Sequence, residues 1–167
     1  MPLSMYEASL PQFIHMLKGL SAVLDKAAAF AEAKKFNSEI LVNARLAPDM
    51  YPLARQVHIA TDLVKGCAAR LSGSEVPSYT DTEFTIPELK ARIAKTVAFV
   101  EGFAPAQFEG SEDRKVTLKL GGEEVTFQGR DYLFTFVIPN FYFHVTTAYA
   151  ILRHNGLEIG KRDYLAA

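Results

Sequence analysis

Asn140 and His144 stand four residues apart in "PNFYFHVTTAYAILRHNG", residues 139–156. On a helix that spacing puts both on one face. His58 lies in a second apolar-periodic stretch, "LARQVHIATDLVKGCAARL", with Asp62 one turn later on the same side. In a bundle, inward histidine and carboxylate side chains from separate helices can meet around one ion. His58, His144 and Asn140 are therefore the candidate metal ligands. His58, Asp62, Asn140 and His144 are the candidate lining of a polar pocket. By residue type alone the plainer reading is two hydrogen-bonded, partly buried histidines. Two imidazoles and an amide oxygen are a weak set beside the three protein ligands usual for catalytic zinc.

Other chemical candidates are thinner. His15 borders an apolar stripe and His154 stands at a helix end, neither with convergent partners. Cys67 falls on an apolar helix face, which suits an inert thiol better than a nucleophile. The HEXXH, P-loop, GxSxG and dinucleotide-binding patterns are absent. Gly121-Gly122 is better explained as a hairpin turn than as a phosphate cradle.

Composition narrows the classes. The chain has 167 residues, a length that suits one domain over 1–167. Its 18 basic and 19 acidic side chains leave a formal charge of −1, with no basic block, which disfavours nucleic-acid binding. A single cysteine excludes an intrachain disulfide and a cysteine-cluster metal site. "MPLSMYEASLPQF" has no basic segment followed by an apolar run, so no signal peptide is read. Apolar tracts are broken well before the roughly 18 residues a membrane span needs. A cytoplasmic protein is expected, and twofold pairing through a further apolar face suggests a homodimer.

The elements that would position these residues are mainly helical. Leu10, Phe13, Ile14, Leu17, Leu20 and Leu24 predict a first helix over about 4–25, bent or delayed by Pro11. The alanine-rich "DKAAAFAEAKK" predicts more helix, at a new angle, and "NSEILVNARLAPDM" a short turn or strand-like piece. A second helix opens at Pro52 and runs to about Leu71, with Leu53, Val57, Ala60, Val64, Cys67 and Leu71 as its stripe. Thr85, Pro87 and Glu88 start a third, which ends near Gly102. "KVTLKLGGEEVTFQG" alternates about Gly121-Gly122, pairing Leu118 with Val125 and Val116 with Phe127. The fourth helix runs from Pro139 to Gly156.

"MYPLARQVHIATD", "LKARIAKTVAFV", "YLFTFVIPNFYFHVTTAYAILRHNG" and "LEIGKRDYL" together resemble an uncharacterised bacterial family within the DinB/YfiT-like metalloenzyme superfamily. The resemblance covers nearly the whole chain and implies an all-α, DinB-like four-helix bundle with a small β-hairpin between helices 3 and 4. It also implies a metal held by three histidines, one from the second helix and two spaced by four on the fourth. In some members such a metal activates a low-molecular-weight thiol for S-transfer. By position His58 falls on the second-helix ligand and His144 on the later fourth-helix ligand, while the earlier one falls on Asn140. Asparagine is neutral and binds zinc poorly, so the implied triad is incomplete.

These readings together predict a degenerate site. His58, Asn140 and His144 are expected to converge in the bundle interior, with hydrogen bonds from Asn140, Asp62 or a tyrosine hydroxyl satisfying the imidazoles. No tightly bound cofactor is expected, and the pocket would serve small-molecule binding or assembly. The alternative is a metal-dependent enzyme of the thiol S-transferase or hydrolase kind, using zinc or nickel. The residues leave open whether the protein is an enzyme.

Overall fold

The structure, a computed structural model, describes residues 3–167. It is mostly helical, with one small antiparallel hairpin. Four helices have 16 to 25 residues: α1 (Leu10–Lys34), α3 (Leu53–Ser72), α4 (Ile86–Glu101) and α6 (Ile138–His154). Three are short: α2 (Glu39–Val42), α5 (Gly129–Asp131) and α7 (Lys161–Tyr164). The hairpin strands β1 (Lys115–Leu120) and β2 (Glu123–Gln128) lie between α4 and α5. No helix among the described residues is long and apolar enough to cross a membrane.

Helix α1 corrects two expectations. It starts at Leu10 rather than near residue 4, and the alanine-rich segment continues it to Lys34 as one helix. Pro11 sits in the first turn, where a missing N–H removes no intrahelical bond, so it marks the start. The stretch expected to be a turn or strand contains α2, whose first turn carries Asn37 Oδ1 accepting from the Glu39 N–H at 3.0 Å. Pro52 precedes α3 as its cap residue instead of lying in the first turn.

Helix α4 begins as its sequence predicts. The Thr85 side chain accepts from the Glu88 N–H, and the Glu88 carboxylate accepts from the Thr85 N–H, closing a capping box. The hairpin register also matches, with Val116 opposite Phe127 and Leu118 opposite Val125. Gly121 and Gly122 both have positive φ, 60° and 92°, which a two-residue turn matched to the strand twist demands.

Helix α3 is the centre of the molecule. It packs against α4 and α6, and α1 closes over all three. Leu53, Val57, Ala60, Val64, Cys67 and Leu71 are all fully buried, as the stripe predicts, but polar positions Gln56, His58, Thr61 and Lys65 are buried too. A helix buried around most of its circumference must place its polar side chains against particular partners. Those partners come from two different sides.

The chain enters α6 through α5 and a π-helical segment, Tyr132–Val137, which the hydrophobic spacing did not predict. Tyr132 and Phe136 from this segment stack with ring centroids 6.0 Å apart. Both face the hairpin residue Phe127, at 6.3 and 5.7 Å. This aromatic cluster joins the hairpin to the start of α6.

Candidate functional site

The four predicted pocket residues do not share one site. His144 is buried, and its Nδ1 lies 2.6 Å from Gln56 Oε1. The amide orientation of Gln56 is set by its Nε2, which donates to the Tyr51 carbonyl at 3.0 Å. Oε1 is thus the atom facing the histidine, so the His144 Nδ1–H donates and Nε2 keeps its lone pair. Burial first, and the Arg55 charge second, push His144 down to about 4. The ring is neutral at pH 7.

His58 takes other partners. Its Nε2–H donates to the Glu83 carbonyl at 3.1 Å, and the Glu83 carboxylate lies 3.3 Å from the same nitrogen. Its Nδ1 faces Asp81 at 4.0 Å. Desolvation dominates and lowers its pKa, aided by the Arg92 charge and opposed by Asp81 and Glu83. Gln56 and His58 are two residues apart on α3, so they project roughly 200° apart about its axis. His144 reaches the α6 side of α3 and His58 the α4 side. The expected hydrogen bonds from Asn140, Asp62 or a tyrosine are replaced by Gln56 and the residue 81–83 segment.

The α4 side holds a dense ionic cluster that residue spacing did not reveal. The Arg92 side chain is 1% exposed. Its Nε donates to Thr61 Oγ1 at 2.8 Å, its Nη2 to Asp62 at 2.9 Å, and its Nη1 to Glu83 at 3.0 Å and the Thr80 carbonyl at 3.1 Å. Asp81 lies 3.2 Å from the same Nη1 and also pairs with Arg55. Buried Lys65 donates to Asp62 at 2.9 Å and lies 4.0 Å from the Tyr79 ring centroid. Arg92, Lys65 and Arg55 thus meet Asp62, Asp81 and Glu83, charge for charge. The cluster fastens the connection over residues 73–85 onto α3 and α4. Arg92 had a sequence signal, an arginine next to Ile93 inside the apolar stripe of "LKARIAKTVAFV", but its partners lie up to 31 residues away.

Asn140 lies elsewhere again. It lines an open cleft of about 560 Å³ between α3, the hairpin and the π-helical segment. Ile59, Leu63, Leu118 and Phe136 make apolar walls, and Arg55, Asp62, Arg70 and Tyr132 add polar groups. Asp62 and Arg55 therefore border this cleft while their charges are engaged in the ionic cluster. Asn140 is half-buried, and its amide has no hydrogen-bond partner among the described residues.

The donor set can be tested against a metal. A three-ligand site needs its donors on one side of one cavity, at about 2 Å from a common point. His58 and His144 lie on different sides of α3, and both Nδ1 of His144 and Nε2 of His58 are already engaged. Among the described residues no three His, Cys, Asp or Glu side chains are grouped to hold an ion. The residues present do not fit a triad.

Comparison with other proteins agrees with the architecture. A solved structure of a DinB family member protein from Shewanella denitrificans is 44% identical, with a TM-score of 0.88 over 97% of this chain and 92% of that one. None of the curated proteins matches the chain. Residues 5–165 match DUF1993, a domain of unknown function. By that match, and by the likeness to a DinB family structure, the chain belongs to the DUF1993 family and has a DinB-like fold.

Proposed function

We propose that this protein is a small-molecule-binding four-helix bundle that works without a tightly held metal, with the cleft beside Asn140 as its site. One observation carries the reading: Asn140 lines the cleft, whereas His58 and His144 are hydrogen-bonded away from each other on two sides of α3. An enclosed pair of neutral, partnered imidazoles is structural in the ordinary sense of satisfying buried polar groups. An open cleft with apolar walls and a few polar groups is the usual form of a ligand site.

A second reading, a metal-dependent thiol S-transferase or hydrolase, is favoured by one feature. The Nδ1–H of His144 donates to Gln56, the arrangement that orients a metal-bound imidazole and leaves Nε2 free. Zinc or nickel would then need further ligands from outside His58.

Calorimetric zinc titration separates the two. The natural protein is expected to bind zinc weakly, and Asn140→His to gain affinity through an i, i+4 histidine pair with His144. Replacing His58 by Ala in that variant is expected to change nothing. Tight stoichiometric zinc binding by the natural protein, abolished by His144→Ala, overturns the metal-free reading.

A further inference from the structure

The geometry points to Arg70 as the anchor of an anionic ligand in the cleft: a small molecule with an apolar body and one carboxylate. This inference rests on the small-molecule reading of the cleft and adds the chemistry of what enters it.

Arg70 differs from the other charged residues of the cleft. Arg55 pairs with Asp81, and Asp62 is held by both Arg92 and Lys65. Arg70 is half-buried, and no carboxylate among the described residues pairs with it. Its one side-chain hydrogen bond goes from Nη1 to the Tyr132 hydroxyl oxygen at 3.1 Å. The neighbouring ionisable groups offer it no negative charge, since burial pushes both the Tyr132 phenol and the Cys67 thiol up to about 12. A half-buried guanidinium with one hydrogen bond keeps N–H groups free for a ligand, and its fork of N–H groups matches a carboxylate.

Two further details bear on the position. The guanidinium folds back along α3 over Gly66, where a Cβ would meet Arg70 Nη1 and push the flexible side chain to another rotamer. Tyr132 is 1% exposed, and its hydroxyl hydrogen finds no acceptor among the described residues. A carboxylate against Arg70 would accept from that hydroxyl as well. Leu63, Leu118 and Phe136 would enclose the apolar part.

The test uses hexanoate, its neutral isostere hexanamide, and inorganic phosphate, added to the full chain and followed by calorimetry and by the Arg70 Nε–Hε resonance. Hexanoate is expected to shift that resonance and to bind at least tenfold more tightly than hexanamide or phosphate. Arg70→Gln should abolish the preference, and Gly66→Ala should weaken it while keeping the charge. Circular dichroism checks that each variant folds, and Arg70→Gln decides the matter if Gly66→Ala does not. Equal binding of hexanoate and hexanamide overturns the anion assignment but leaves the pocket. Binding of neither at millimolar concentration overturns both. Phosphate binding as tightly as hexanoate removes the apolar body from the proposal, and a preference that survives Arg70→Gln moves the anion to another residue and sinks it.

Discussion

The two sides of α3 handle charge in opposite ways. Toward α4, Arg92 and Lys65 are buried and matched by Asp62, Asp81 and Glu83 within about hydrogen-bond distance. Toward the hairpin and the π-helical segment, Arg70 meets only a phenol. A buried charge whose partners are all present holds the chain in one arrangement. A half-buried charge with no counter-charge lies ready for something that arrives from outside. The same helix therefore carries a clamp toward α4 and a candidate binding surface toward the hairpin, with Arg55 and Asp62 bordering both, His58 in the clamp and His144 in neither.

The largest effect is expected from breaking the clamp. Arg92→Met removes a buried cation and leaves Asp62, Asp81 and Glu83 short of a partner. Because these carboxylates are 21–38% exposed, water screens part of the loss, which should be about 3 kcal/mol of unfolding free energy. Urea denaturation measures it. A loss under about 1 kcal/mol would mean that the cluster is a surface network, and the contrast between the two sides would disappear.

Acid should act next. His144 is held down to about 4 in the folded chain against an ordinary 6.5, so between those values the unfolded chain binds more protons. The stability linked to this group is complete above pH 6.5 and declines as the pH falls toward 4, by about 3 kcal/mol. His58 is shifted in the same direction and adds to the decline. Urea midpoints at pH 7, 6 and 5 should fall steeply for the natural protein and more gently for His144→Gln. Identical slopes would show that His144 is not buried neutral.

The smallest effect is expected at Arg70. Arg70→Gln removes a charge that no carboxylate offsets, so stability should move by no more than about 1 kcal/mol in either direction. A loss comparable to that of Arg92→Met would identify Arg70 as a second clamp and remove the distinction on which the ligand site rests.

Much of the fold was legible in the sequence because its signals are local. The period of Leu53, Val57, Val64 and Leu71 locates α3, the Thr85–Glu88 box starts α4, and Gly121-Gly122 sets the register of β1 against β2. Expectations failed where a local signal was ambiguous. Pro11 reads equally as a kink or as a first-turn residue, and Gly129–Val137 has apolar residues too closely spaced to declare a π-helical turn. The candidate residues were partly legible. Asn140 and His144 do share a helix, but four-residue spacing says nothing of what faces them.

What the sequence by itself determined is the helical framework, the hairpin and its register, and a near-neutral chain with one buried thiol. Periodicity and turn chemistry act within a few residues, so they can be read without the rest of the molecule. Only the tertiary structure decided that His144 meets Gln56, 88 residues distant, that Arg92 reaches back to Thr61, and that Arg70 is left with Tyr132. Those pairings depend on the rotation of each helix about its axis. A turn of 100° per residue carries His58 and Gln56 to opposite sides, and packing against α4 and α6 alone selects what each side meets.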